Sequence, residues 1–280
     1  MNLVLKKAVK NLLKKYKIQP LKGFGQNFLI NREVLKKIIE AANLTKNDIV
    51  LEIGPGIGNL TQELAKRAKK VVAIEKDQKM VEILKEALKE YKNVEIIKED
   101  ILKTNIQYLI SNIQYKVVAN LPYYITSPVI RKFLESENQP KEMILMVQKE
   151  VAQRICSKPP DMSILAVSVQ FYAEPEIVSY VSKKSFWPSP KVDSAILKIS
   201  ALNQRRKSAF NQRFFKIVKA GFSQPRKQLV NNLSNGLRID KIKTEDWLLK
   251  NNIQPSQRAE TLSIKDWMNL TKSFKSDIIK

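Results

Sequence analysis

The sequence contains no histidine and only one cysteine, Cys156, in 280 residues. The missing histidine removes Ser-His and Cys-His nucleophile systems, the commonest general base near neutrality, and most zinc sites. A single cysteine excludes an internal disulfide framework and any cysteine-cluster metal site; no metal is expected, and a reducing cytoplasm fits. No apolar run approaches the roughly 18 residues that a membrane-spanning helix needs. Lysines interrupt the apolar positions of the amino-terminal stretch, so it does not read as a secretory signal.

Acidic residues are also scarce. Asp and Glu number 27 against 50 Lys and Arg, a net charge of +23. The excess is uneven: residues 1–22 carry seven lysines and no acid, residues 23–200 carry 26 basic and 21 acidic residues, and residues 201–280 carry 17 basic and six acidic. Basic ends flanking a nearly balanced middle suit a polyanionic partner, with nucleic acid the first choice. Lysine-rich composition alone would explain the abundance but not the thinning-out in the middle. Arg205, Arg206, Lys207, Arg213, Arg226 and Lys227 are the candidate phosphate contacts.

Glycine is rare as well, with seven in the chain, and three of them fall at alternate positions in Glu52-Ile53-Gly54-Pro55-Gly56-Ile57-Gly58-Asn59. The preceding Val50-Leu51 and following Leu60 to Ala68 make this a buried strand, a tight turn and a helix start. Such a turn points backbone N–H groups and the positive helix end at whatever rests on it. A dinucleotide fingerprint would need glycine at position 59, which is Asn59. The spacing is instead similar to the first motif of S-adenosylmethionine (SAM) methyltransferases.

From Ile49 to Asp100 the pattern is βαβαβ, and apolar strands alternating with helices predict a parallel sheet covered on both faces. Ligands then gather at the carboxyl ends of the strands. Glu75 ends the second strand and can accept from ribose hydroxyls; it can equally cap the next helix, as can Asp77. Asp100 follows the third strand, where it can accept from an adenine amino group or serve as a loop cap. The fourth strand delivers Asn120-Leu121-Pro122-Tyr123. An adenine exocyclic amine is a poor nucleophile because its lone pair is delocalised into the ring. Two acceptors, the Asn120 amide oxygen and the Leu121 carbonyl, would favour a pyramidal nitrogen that can attack a methyl group. Pro122 stiffens the turn, and a Tyr123 ring can stack on a base withdrawn from its helix. Phe186-Trp187-Pro188 reads either as an aromatic loop that sandwiches the base or as a hydrophobic plug over the core.

Beyond residue 200 the spacing predicts helices. Phe210, Phe214, Val218 and Phe222 form an apolar stripe, Pro225 opens a helix that Gly236 ends, and Thr244 and Ser263 cap two more. The expected division is a basic segment over 1–22, a catalytic domain over 23–200 and a helical RNA-binding domain over 201–280.

Taken together, Gly25-Gln26-Asn27-Phe28-Leu29, Glu52 to Gly58, Glu75, Asp100, Asn120 to Tyr123 and Phe186 to Ser194 resemble the rRNA adenine N6,N6-dimethyltransferase family. Phe222 to Lys227 and Arg258 to Ser263 resemble its small-ribosomal-subunit branch. The resemblance implies an α/β fold, a Rossmann-like seven-stranded methyltransferase sheet with one antiparallel strand and a small all-α C-terminal domain. It implies SAM as cofactor, held by Asn27, Leu29, Gly54, Gly56, Glu75, Asp100 and Asn120. Asn120, Leu121, Pro122, Tyr123 and Phe186 would handle the base. The implied reaction dimethylates two adjacent adenosines near the 3′ end of 16S rRNA in the immature small subunit, by a monomer in the cytoplasm. The alternatives are a macrolide-resistance dimethylase acting on 23S rRNA and a non-catalytic ribosome assembly factor.

Overall fold

A computed structural model describes residues 3, 5–18, 26–110, 113–202 and 209–274. The chain opens with helix α1 (Lys6–Lys15), strand β1 (Phe28–Leu29) and helix α2 (Arg32–Ala42). In α1 the apolar positions fall on one face, and Val9, Leu12 and Leu13 bury there with Phe28, Ile57, Met80 and Ile83. The amino-terminal basic stretch is thus a docked helix with its lysines outward. The Asn31 side chain accepts from the Glu33 and Val34 N–H groups to start α2, and Asn43, left-handed at φ 41°, ends it.

A βαβαβ run follows as read: β2 (Ile49–Ile53), α3 (Asn59–Ala65), β3 (Lys70–Glu75), α4 (Gln78–Ala87) and β4 (Val94–Lys98). A short helix α5 (Ile106–Leu109) leads to β5 (Lys116–Asn120), α6 (Thr126–Leu134), β6 (Glu142–Gln148) and α7 (Lys149–Ile155). After α8 (Ile164–Gln170) come β7 (Ala173–Val181), β8 (Phe186–Trp187) and β9 (Ser194–Ala201). Seven strands form one sheet in the order β4-β3-β2-β5-β6-β9-β7, with β2 to β6 parallel and β9 antiparallel to β6. Strands β1 and β8 pair separately and antiparallel. The central strands are apolar on both faces because α2 and α3 cover one of them, giving a core of Ile38, Leu64, Val71, Val118 and Ile144.

Burying both faces of β5 leaves one polar group to satisfy. Lys116 is buried, and its Nζ donates to the carbonyls of Ala42 and Asn43, both at 3.0 Å, at the carboxyl end of α2. Asp48 and Glu142 each lie 3.7 Å from the same nitrogen. The ammonium meets the negative helix end and two carboxylates at once.

Four further helices follow: α9 (Ala209–Gly221), α10 (Leu229–Leu237), α11 (Lys241–Leu249) and α12 (Ile264–Ser273). The compact units do not follow the boundary expected at residue 200. One comprises 1–152 and 175–201, the other 153–174 and 202–280. The reason is aromatic packing: the Phe171 ring stacks on Phe214 at 4.0 Å between centroids and meets Phe215 edge-on, so the α8 region belongs to the core of the helical unit. Three smaller expectations change. Pro225 lies in the turn before α10 rather than in its first turn, and Gly236 sits inside α10. A Cβ at Gly236 would lie 2.7 Å from that of Ala220, so the glycine permits the close approach of α10 to α9. Thr244 is within α11, whose cap is Asp240; the Thr244 hydroxyl donates to the Asp240 carbonyl at 2.8 Å. Ser263 caps α12 in a reciprocal box with Asp266.

Candidate functional site

A cavity of about 830 Å³ opens at the carboxyl ends of β2 to β5. That volume lies at the upper end of the usual range for small-molecule sites. The glycine turn forms its floor. Gly54, Gly56 and Gly58 all have positive φ, at 63°, 59° and 86°. At Gly56 a Cβ would touch the Phe28 ring at 3.4 Å, and at Gly58 it would press on Leu84 at 3.1 Å. The Asn59 side chain donates to the Leu29 carbonyl at 2.6 Å, tying the turn to β1. A side chain therefore stands where a dinucleotide site keeps the third glycine bare.

The strand ends supply carboxylates. Glu75 is buried, its Oε2 accepting from the Gly56 N–H at 3.1 Å and its Oε1 from the Asp77 N–H at 2.9 Å. Burial raises its pKa, and the backbone donors oppose that rise. Each oxygen keeps a lone pair for a further donor such as a hydroxyl. Both sequence readings of this region hold in part: Glu75 lines the cavity, and Asp77 is the residue that caps α4. Asp100 Oδ2 accepts from Lys76 Nζ at 2.9 Å and Oδ1 from the Leu102 N–H at 3.0 Å. The bond to Lys76 is the main cause that holds the Asp100 carboxyl below its ordinary pKa.

Asn120 ends β5 on the same cavity, and its Nδ2 donates to the Asn27 carbonyl at 3.1 Å. That bond fixes the amide plane and identifies Oδ1 as the acceptor left for an incoming amine. The Leu121 N–H donates to the Met146 carbonyl at 3.3 Å, which anchors the turn on the neighbouring strand. Pro122 precedes a single 3₁₀ turn, Tyr123–Ile125. The Tyr123 hydroxyl pairs with the Ser194 hydroxyl at 2.7 Å, which fixes the ring edge. Asn27, Leu29, Gly54, Gly56, Glu75, Asp100, Asn120, Leu121, Pro122 and Tyr123 all line this one cavity.

Phe186 is not brought there. It is 3% exposed and packs with Leu29, Val118, Ile144, Met146 and Ile196. The β1–β8 register sets Phe186 opposite Leu29, and both side chains face the core, so the plug reading describes this ring. Among the basic candidates, Arg226 and Lys227 are exposed in the turn before α10. Arg213 lies on α9 and donates to the Phe274 carbonyl at 3.4 Å. Arg205, Arg206 and Lys207, like Gly25 of the first motif, lie outside the described residues.

The cavity also gathers residues that no spacing rule singled out: Lys17 and Ile18 just past α1, and Lys76 and Tyr124 at the strand ends. Lys17 and Ile18 are brought in by tertiary docking of α1, which the sequence does not announce. Glu52 could have been found, because it is a lone charge inside an apolar strand. It is 1% exposed, and neither its Oε2 nor the adjacent Thr61 hydroxyl has a hydrogen-bond partner among the described residues. Its pKa is pushed up to about 8, mainly by burial and further by the Glu75 charge, against the effect of the Thr61 hydroxyl.

A carboxyl that is neutral when folded and ionised when unfolded stabilises the fold fully below its unfolded pKa. That stability is lost as pH rises toward the folded pKa, because the unfolded chain then binds fewer protons. Wild-type protein should therefore lose stability relative to Glu52→Gln between pH 5 and about pH 8. Urea denaturation across that window checks the expectation, and parallel curves for the two proteins would contradict it.

Seven strands in this order, one of them antiparallel, with a cavity at the parallel strand ends floored by a glycine turn, define the fold of SAM-dependent methyltransferases. Comparison with known proteins narrows the class. The ribosomal RNA adenine dimethylase family matches residues 19–276. A ribosomal RNA small subunit methyltransferase A from Dehalococcoides mccartyi is 47% identical over 263 residues, covering 93% of this chain and 90% of the relative. The protein of the same name from Clostridioides difficile is 40% identical, covering 97% of this chain and 96% of that one. Among solved structures, a dimethyladenosine transferase from Plasmodium falciparum superimposes with a TM-score of 0.73 at 31% identity, covering 86% of this chain and 94% of the other. The chain belongs to the ribosomal RNA adenine dimethylase family.

Proposed function

We propose that this protein transfers methyl groups to the N6 amines of two adjacent adenosines near the 3′ end of 16S rRNA, in the cytoplasm, during maturation of the small ribosomal subunit. The observation that carries the reading is the Asn120 turn, which opens on the same cavity as Glu75 and Asp100. The residues present fit SAM. Glu75 offers acceptors to a ribose diol, Asp100 offers one to an adenine amine, and the bare backbone at Gly54 and Gly56 leaves room beside the turn. The unpartnered Glu52 oxygen supplies a further acceptor deep in the cavity. SAM, when bound, supplies an electrophilic methyl group on a sulfonium.

The chain's own work is positioning. The Asn120 Oδ1 and the Leu121 carbonyl accept the two N–H bonds of the target amine, which localises its lone pair. Tyr123 stacks on the withdrawn base, its hydroxyl held by Ser194. No strong base is needed, because the amine loses its proton after it has become cationic. That requirement agrees with a chain that lacks histidine.

The names of the curated relatives favour the small-subunit substrate. A 23S rRNA methyltransferase, ErmE, also superimposes, with a TM-score of 0.74 at 27% identity over 88% of this chain and 99% of the other. Its likeness keeps the large-subunit reading as the competitor. Radiolabelled SAM offered separately to undermethylated 30S particles and to 50S precursors tests the choice. Dimethyladenosine in the 30S sample alone is the expected result; label in the 50S sample would transfer the protein to the competing reading.

The basic surface gives a second test. Exposed Arg226 and Lys227 are assigned to rRNA phosphates, so the double alanine variant should bind the 30S particle several-fold more weakly. Its plot of log affinity against log salt should be shallower by about one to two. An unchanged slope would remove these two residues from the interface.

A further inference from the structure

Lys76 has no part in the reaction as described, yet it stands on the cavity wall. Three lysines and five carboxylates line that cavity: Lys17, Lys76 and Lys79 against Glu52, Glu75, Asp77, Glu99 and Asp100. Only Lys76, of the three lysines, has an ion pair with one of these acids among the described residues. The pairing follows from strand register. Strands β3 and β4 run parallel with Glu75 beside Lys98, and the Glu99 N–H donates to the Glu75 carbonyl at 3.1 Å. Lys76 is the first residue after β3, and Asp100 lies two past β4, so the same pairing that ends the sheet sets ammonium and carboxylate 2.9 Å apart.

The carboxylate is held from both sides. The Leu102 N–H fixes Oδ1, and Lys76 fixes Oδ2. Lys132, the other cation whose charge acts on Asp100 from a neighbouring helix, is engaged by the carbonyls of Leu102 and Thr104. Lys103 attracts it through space only. A carboxylate kept ionised and immobile in this way is an acceptor and never a donor. It favours a purine that presents an amino group and disfavours one that presents a carbonyl oxygen, since two acceptors then face each other.

We propose that Lys76 is a positioning residue that locks Asp100 as an acceptor and thereby sets the preference of the cavity for a 6-amino purine over a 6-oxo purine in the cofactor. The inference rests on the assignment of Asp100 to the cofactor's adenine. The neighbouring Glu75 and Asp77 do not share the task, because their oxygens are taken up by the glycine turn, the start of α4 and Gln26.

Calorimetric binding of S-adenosylhomocysteine and of its 6-oxo counterpart, S-inosylhomocysteine, separates the two claims. Wild-type protein should prefer the adenosyl compound. Lys76→Met should reduce that preference by roughly tenfold, the effect of loosening one hydrogen bond to a charged group. Lys76→Arg, which keeps the ion pair, should retain it. Asp100→Asn, which can donate to a 6-oxo group, should abolish it. If Asp100→Asn leaves the preference intact, the assignment of Asp100 to the base is wrong, whatever Lys76 does. If Asp100→Asn abolishes it while Lys76→Met matches wild type, or while Lys76→Arg loses it as Lys76→Met does, the role given to Lys76 is overturned and the base assignment stands.

Discussion

Replacing Asn120 with alanine should slow methyl transfer to adenosine by two to three orders of magnitude, about the loss seen when a preorganised polar group is removed from a reacting centre. The amide sits at the end of β5 with its nitrogen committed to the Asn27 carbonyl. Its oxygen is thus delivered as an acceptor without reorganisation when the amine arrives. Alanine removes that acceptor but leaves the Leu121 carbonyl, which depends on the Met146 bond rather than on residue 120. The loss should appear in kcat, with affinity for the 30S particle unchanged. The same variant tests the assembly-factor reading, since a protein whose main work is binding would keep that work. Single-turnover transfer within tenfold of wild type would show that Asn120 does not orient the amine.

The largest effect on stability is expected at Lys116. Lys116→Met keeps the apolar stem and removes the ammonium. It leaves two carbonyls at the end of α2 without their donor and brings Asp48 and Glu142 together without the charge between them. Breaking one side of a buried pair costs about 3–5 kcal/mol. The partly exposed carboxylates can recover some solvation, so about 2–4 kcal/mol is the appropriate expectation here. Urea denaturation measures it directly. A change below about 1 kcal/mol would mean that water replaces the ammonium without loss.

Much of the cofactor side of this cavity was legible because its chemistry is local. Three alternate glycines, an acid at a strand end and an Asn-Leu-Pro-Tyr turn each occupy a few consecutive residues, and the parallel topology carries them to one edge. The parts that were not legible depend on distant segments. Lys17 and Ile18 reach the wall because three apolar side chains of α1 find Phe28, Ile57 and Met80, a match that spacing within α1 cannot announce. Phe186 was readable in two ways, and the choice between them was made by its pairing with Leu29, more than 150 positions away in the sequence. The cap of α11 was misplaced by four residues because Thr244 and Asp240 are both good caps, and the buried face of the helix decides between them.

The discontinuous helical unit limits how this gene can be cut. The backbone passes between the two units three times, after residues 152, 174 and 201. A fragment beginning at residue 201 would carry Phe214 and Phe215 but not the Phe171 ring that fills the space beside them. The remaining fragment would expose that same ring. A single recombination junction near residue 200 therefore cannot exchange the helical unit between relatives, and a graft must carry residues 153–174 as well.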